Sequence, residues 1–355
     1  MTIRERGAAT GASVPGRDPR TLPKAELHLH LLAAMRPATL AELAAEDGRT
    51  APDPRAFTTF TEFQRIFQAA YDATSARPGN LRRVVAELVE DVAADGGVWV
   101  QPHFDPHSYQ HFGPAEHVLE LVLEAGRQAG ERCGVGFGLT IAVSRHGSPE
   151  EAVRLARFAV RHAGRGIHAL GLTGDEGACP AEPFAEAFAV AREAGLTSAP
   201  HAGELRGPDS VRAVVEHLGA TRIAHGIRAA EDPALLESLA EQGVSMDVCL
   251  TSNRVLGVVP DLTRHPLPDL LAAGVRCSLG TDDPLMFGSS LADEYLIARD
   301  TLGLTDQQLA EIARTSVETG DAPADLIAVA VAGIDDWLRR DPDPARRSPT
   351  DRIVA

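Results

Sequence analysis

Short runs rich in Val, Ile and Leu alternate along the chain with longer segments in which Ala, Leu, Glu and Arg recur at helical period. That alternation is the pattern of repeated βα units around a parallel sheet. Strands are predicted at Ala25–His30, Val98–Phe104, Gly136–Val143, Ile167–Leu172, Thr197–His201, Arg222–His225, Val244–Val248 and Arg276–Gly280. Helices are predicted between them at Leu81–Ala94, Pro114–Ala129, Pro149–Ala163, Pro180–Ala194, Pro208–Leu218, Pro233–Gln242 and Pro266–Ala273. Several open at or beside a proline, which suits the first helical turn because its missing N–H is not needed there. Eight such units predict an α/β fold, a single (β/α)8 barrel of the TIM type.

The stretch from Arg36 to Asn80 is longer than a βα connection needs and is read as a helical segment inserted after strand 1. It carries Phe57, Phe60, Phe63 and Phe67 near helical spacing, either an aromatic stripe gluing the helix to the barrel or a lid in which Phe63 meets an aromatic substrate. No repeat, low-complexity block or Ser/Gly-rich linker divides the chain. One domain over 21–340 is expected, after a disordered lead-in over 1–20 and before a tail over 341–355.

A length of 355 residues fits one barrel with insertions. Hydrophobic residues make up 44% and the mean hydropathy is -0.09, ordinary for a globular protein. No apolar run of about 18 residues is found, so no membrane span is expected. Charges and Gly/Pro breakers stand at the N-terminus where a secretory signal needs an apolar run, and a cytoplasmic location is expected. A net charge of -16 with a pI near 5.2 repels polyanions, which argues against a nucleic-acid partner. Cys133, Cys179, Cys249 and Cys277 are scattered without a CxxC pair, so free thiols are expected. Oligomeric state is not legible, and a homo-oligomer is compatible with everything above.

Chemistry gathers where the predicted strands end. In ELHLH, His28 and His30 lie two apart on a strand and so share a face. APHAGE places His201 at the end of strand five, with Glu204 a short turn beyond. IAHGI puts His225 at the end of strand six, and SLGTDDP delivers Asp282 and Asp283 after strand eight. Barrel enzymes keep their chemistry at this rim, and closure of eight strands makes the first and last neighbours. His28, His30, His201 and Asp282 can then converge as three imidazoles and a carboxylate, a set that suits one Zn²⁺ with an open position. Such an ion lowers the pKa of a bound water to about 7. His225 could deprotonate and orient that water, while Glu204 could protonate the atom that gains electron density. Each residue has an ordinary alternative: Asp282 or Asp283 capping a helix, His225 satisfied in the core, Glu204 paired with Arg206. Their joint placement at strand ends argues against coincidence.

The HLH, HAGE, AHGIR and SLGTDDP motifs, in this order and at these separations, resemble those of the adenosine and adenine deaminases, within the metal-dependent amidohydrolases. TGDE at Thr173–Glu176 and VCLTSN at Val248–Asn253 extend the likeness, which runs from about Pro23 to Trp337. The resemblance implies zinc on His28, His30, His201 and Asp282. It implies Glu204 giving a proton to ring N1, His225 activating the hydroxide, Asp283 bonding N7 and the Gly174 backbone meeting N3. The reaction implied is hydrolytic deamination of a 6-aminopurine at C6, with a small-molecule purine as partner. The HxE and PCxxC motifs of the other zinc deaminases are absent.

One departure bears on substrate. Where the family continues after HxH with Leu, an acidic residue that bonds a ribose hydroxyl, and Gly, this chain has Leu31, Leu32 and Ala33. Losing a hydrogen bond to a charged group costs about 1.5 to 3 kcal/mol, which weakens adenosine binding roughly ten- to a hundredfold. A nucleoside altered at its 5′ side, an N6-substituted purine or a free purine is therefore expected, with Leu32 making that corner apolar. HFDPH and His111 follow strand two: His103 or Phe104 is expected to line the pocket, and the remaining histidines to be loop or surface rather than a second metal site.

Two rival functions are weighed. A one-metal amidohydrolase acting on a non-purine stays open. The two-metal form needs a carbamylated lysine inside the barrel, and the one lysine, Lys24, precedes strand one. A non-catalytic purine-binding relative is disfavoured because every ligand and the acid are present.

Overall fold

The computed structural model describes residues 16–341. The strands are β1 (Lys24–Glu26), β2 (Gly97–Val100), β3 (His103–Phe104), β4 (Gly136–Phe137), β5 (Leu139–Ser144), β6 (Ile167–Thr173), β7 (Thr197–Ser198), β8 (His201–Ala202), β9 (Arg222–His225), β10 (Ser245–Val248) and β11 (Arg276–Leu279). Three predicted strands are each split in two: β2 and β3, β4 and β5, and β7 and β8. Proline explains two of the breaks: Pro102 and Pro200 have no N–H to give the ladder. Predicted strand one is shorter than expected, and beyond Glu26 only isolated parallel bridges continue it, Leu29 with Asp282 and His30 with His103.

All pairings are parallel. They run β1–β2–β4, β3–β5–β6–β7 and β8–β9–β10–β11. The Ala199 amide donates to the Leu170 carbonyl, carrying hydrogen bonding from β6 toward β8. Beyond the last strand, Asp282 donates its amide to His28 and accepts that of His30, at 2.8 and 3.0 Å. First and last strand ends are thus hydrogen-bonded neighbours. β9 and β10 are buried along their whole length, as strands covered on both faces must be.

Between β1 and β2 lie α1 (Pro37–Glu46), α2 (Phe60–Ser75) and α3 (Pro78–Ala94). The connections onward carry α4 (Ala115–Cys133), α5 (Pro149–Arg161), α6 (Ala185–Glu193), α7 (Pro208–Leu218), α8 (Pro233–Gln242), α9 (Leu250–Val255) and α10 (Leu267–Ala272). After β11 come α11 (Pro284–Phe287), α12 (Leu291–Asp300), α13 (Asp306–Thr319) and α14 (Ala324–Arg339). Thr59 with Glu62 and Ser148 with Glu151 form capping boxes that start α2 and α5 by satisfying the first free amides. The helix predicted from Pro180 begins only at Ala185, behind a 3-10 turn at Glu182–Phe184. Proline at 183 inside the predicted helix accounts for the late start.

One cluster of buried apolar side chains runs from Leu22 to Trp337. Residues 16–20 correct the expected disordered lead-in. Arg17 donates to the carbonyls of Leu338 and Arg340 and pairs with Asp306, and Trp337 donates to the Asp18 carbonyl at 3.0 Å. Residues 1–15 of that lead-in and 342–355 of the expected tail lie outside the described residues. Among the described residues no helix is long and apolar enough to cross a membrane. All four cysteines are free.

Candidate active site

The strand ends bring His28, His30, His201 and Asp282 together, with one candidate ligand atom from each lying within 4.8 Å of the others. His28 Nε2 stands 3.1 Å from His201 Nε2 and 3.6 Å from Asp282 Oδ1, and His30 Nε2 lies 3.4 Å from the same oxygen. Tetrahedral zinc with bonds near 2.1 Å spaces its ligand atoms about 3.4 Å apart, so these separations fit such an ion. The protonation states fit as well. His28 donates from Nδ1 to the Asp247 carbonyl at 2.9 Å, which leaves a lone pair on Nε2. Burial drives His28, His201 and His225 below the ordinary imidazole value and so keeps them neutral, whereas at His30 burial is outweighed by the carboxylates of Asp283 and Asp282, which raise it; a bound cation would have to displace that proton. Burial opposes the anion at Asp282, yet His30, His28 and His225 together hold its carboxyl below the usual range.

A second grouping, His28, His225, Cys249 and Asp282, is also close enough to hold an ion. It fits less well. Cys249 Sγ lies 3.3 Å from His28 Nδ1, the nitrogen already given to Asp247, and burial pushes the thiol far up, away from the thiolate a metal needs.

His225 and Asp282 hold left-handed backbone conformations, with φ of 68° and 60°. For residues other than glycine this costs roughly 1–2 kcal/mol each and persists where the surroundings enforce it. The turns aim both side chains inward: His225 Nε2 lies 3.8 Å from Asp282 Oδ2 and 3.6 Å from Glu204 Oε1. Burial, then the charge of Asp282, raises Glu204 well above the ordinary carboxyl value, so it holds a proton. Asp283 occupies the N-cap position of α11 but makes no capping bond, and its Oδ1 is buried without a partner. Burial and the neighbouring Asp282 push its carboxyl up to about 8. The arrangement offers a four-residue ion site flanked by two buried carboxyls, Glu204 and Asp283, whose values are pushed up by burial and by Asp282.

The adenosine deaminase family model matches residues 23–337. The chain belongs to that family. A Streptomyces virginiae protein, provisionally named an adenosine/adenine deaminase, is 45% identical over 91% of this chain and 98% of its own length. The aminodeoxyfutalosine deaminase of Acidothermus cellulolyticus is 36% identical over 78% of this chain and 82% of its own. Among solved structures, the adenine deaminase of Arthrobacter aurescens superposes with a TM-score of 0.81 at 27% identity, covering 90% of this chain and all of that one. This adenosine deaminase family member is a hydrolase acting on C–N bonds, of the adenosine/adenine deaminase kind.

Four residues beside the cluster were given no role by the sequence. Ser252 donates to Asp282 Oδ2 at 2.6 Å. Glu176 accepts the backbone amides of Gly203, Glu204, Leu205 and Arg206 at 2.6 to 3.2 Å, pinning the turn that presents Glu204. Asn253 and His265 stand in line behind His225. Ser252, Asn253 and Glu176 lie within VCLTSN and TGDE, so position inside a recognised motif was the available signal; His265 offered none beyond its place before a helix.

The pocket expectations divide. His103 is buried, its ring 5.3 Å from that of His30 and 5.2 Å from that of His201, whereas Phe104 packs on Tyr109. His107 lies on Phe158 and His111 bonds the Ser75 carbonyl, apart from the cluster. Phe63 stacks on Phe287 and meets Phe57, tying α2 to α11. Leu32, itself half-buried, begins a 3-10 turn whose other residues, Ala33 and Ala34, are buried, and on which α2 and α11 both pack. Gly174 has φ of 97°, a conformation that glycine adopts without strain, and the His146 ring lies where a side chain at this position would point.

Proposed function

We propose that this chain is a zinc-dependent deaminase of a 6-aminopurine other than plain adenosine, built on a closed (β/α)8 barrel. Hydrogen bonding between the ends of the first and last strands supports closure. The observation that carries the function is the grouping of His28, His30, His201 and Asp282 with the buried carboxyls of Glu204 and Asp283 at its edge. When bound, the ion supplies a Lewis acid at which water ionises near neutrality. Net chemistry replaces the C6 amino group with oxygen from water and releases ammonia, or the corresponding amine where N6 is substituted.

The side chains divide the remaining work. Glu204, protonated by burial, gives its proton to ring N1 as C6 is attacked. Asp283 in its protonated form donates to N7, an acceptor, and the unpartnered Oδ1 supports that use. The Gly174 backbone meets N3, and His225 orients the attacking oxygen. α1 and α2 act as the inserted segment ahead of α3, the helix of the first βα unit, and the Phe57, Phe63 and Phe287 cluster ties α2 to α11.

Leu32 sets the substrate. With no carboxylate at that position the sugar hydroxyl has no charged partner, so a 5′-altered nucleoside or a free or N6-substituted adenine is favoured. Relatives named aminodeoxyfutalosine deaminase and adenine deaminase, both 36% identical, support that range. The test is kcat/KM for adenine, adenosine and 5′-deoxy and 5′-thio adenosines. A preference for adenine or a 5′-altered analogue is expected; a clear preference for adenosine would overturn the substrate assignment.

A further inference from the structure

His265 is buried just ahead of α10, and the reaction described above leaves it without a part. Its Nδ1 accepts the backbone amide of Leu267 at 3.1 Å. A backbone amide can only donate, so this nitrogen carries no proton. The proton of a neutral imidazole then sits on Nε2, which stands 3.1 Å from Asn253 Oδ1. Burial keeps His265 neutral, its value lowered to about 3. With its oxygen engaged, the fully buried Asn253 turns its amide nitrogen to His225, Nδ2 to Nδ1 at 3.4 Å. An amide nitrogen also only donates. His225 Nδ1 is therefore the acceptor, and the imidazole proton falls on Nε2, the nitrogen that faces Glu204 and Asp282.

We infer that His265, acting through Asn253, is a positioning residue that fixes His225 as its Nε2–H tautomer, so that His225 meets the attacking oxygen as a hydrogen-bond donor. This deepens the deaminase reading and rests on it for the identity of that oxygen. It revises the expectation that His225 takes the proton from water: a nitrogen already carrying a proton cannot accept another while Nδ1 stays bonded to Asn253. His225 then aligns the oxygen from one side. The direction of the whole line is set at its far end by one main-chain amide, that of Leu267, which cannot reverse.

The test is two-bond ¹H–¹⁵N spectroscopy of the zinc-loaded full chain with ¹⁵N-labelled histidine, the His225 signals being assigned from their loss in His225→Gln. The Nε2–H pattern is expected for His225 in the unaltered protein. His265→Ala should convert it to a mixture of tautomers and lower kcat ten- to a hundredfold with KM changed less than threefold. His265→Gln, whose oxygen can accept from Leu267 and whose amide can donate to Asn253, should restore both. Asn253→Asp should move the proton to Nδ1. An Nδ1–H pattern in the unaltered protein, or an unchanged pattern in both His265→Ala and Asn253→Asp, overturns the inference. If His265→Ala does not fold, the unaltered protein and Asn253→Asp decide it. A correct tautomer without ammonia release would count against the deaminase reading alone.

Discussion

His225 and Asp282 face each other across the site, Nε2 to Oδ2 at 3.8 Å, and each reaches that position by a left-handed backbone turn. Strain of this kind is held in place by its surroundings, here by the hydrogen bonds that tie Asp282 to the β1 end. Asp282→Asn keeps a residue type that tolerates the conformation and removes the anionic ligand. Metal content should fall below one-tenth of an equivalent after dialysis, with turnover lost, while stability of the metal-free protein stays within about 1 kcal/mol. Elemental analysis and urea denaturation check both halves.

Ser252 holds Asp282 from behind at 2.6 Å. Outer hydrogen bonds of this type tune a metal ligand, and losing one typically costs 10- to 100-fold in metal affinity or activity. Ser252→Ala should weaken zinc binding by roughly that factor in a competition titration with a chelating dye, with substrate specificity unchanged.

Glu204 has its side chain 3.6 Å from His225, and its main-chain amide is among those held by Glu176. Glu204→Gln removes the transferable proton and leaves the turn intact. kcat should drop by roughly 10²- to 10⁴-fold with zinc content and melting temperature preserved. Loss of zinc in this variant would reassign Glu204 to the ion.

Leu32→Asp restores a carboxylate beside the expected sugar site. Adenosine should gain roughly ten- to a hundredfold in kcat/KM, and adenine, which has no sugar, should gain little. Equal change for both would separate Leu32 from substrate choice.

Lys24 donates to the carbonyls of Pro19 and Leu22 at 2.7 and 3.0 Å and to that of Asp95, in a fully buried position. Burial lowers it from 10.5 to about 7. Between those values the unfolded chain binds a proton that the folded chain does not. Stability should therefore rise with pH from roughly 7 to 10, by a few kcal/mol on the order-of-magnitude scale of such linkage. Lys24→Met should flatten that slope and, by leaving buried carbonyls without a donor, destabilise by about 2 kcal/mol or more. Urea denaturation across the window measures both.

The meeting of His28, His30, His201 and Asp282 was legible because parallel strands in a βα repeat end at a common rim: an HxH, an HAGE and a TDD at strand ends come together there. Two of the three strand interruptions, at Pro102 and Pro200, leave only a weak mark in the sequence, because a proline that removes one ladder bond does not abolish the apolar run around it. The order of residues 16–20 rests on Arg17 and Trp337 meeting across 320 positions of chain, a long-range contact that local pattern does not carry. The line from Leu267 through His265 and Asn253 to His225 escaped for the same reason. It depends on the directions of individual hydrogen bonds, and those exist only once α9 and α10 are placed.

The most direct test of the account is ammonia release from the protein stripped of metal and then reloaded with one equivalent of zinc. The substrates are adenine, adenosine, 5′-altered adenosines and N6-substituted adenines, with lactones and esters as controls. The account predicts zinc-restored release of ammonia from a 6-aminopurine, or of the amine where N6 is substituted, fastest where the 5′ side is altered or the sugar absent. No ammonia or amine from any aminopurine, with zinc bound and an ester or lactone turned over, would contradict it.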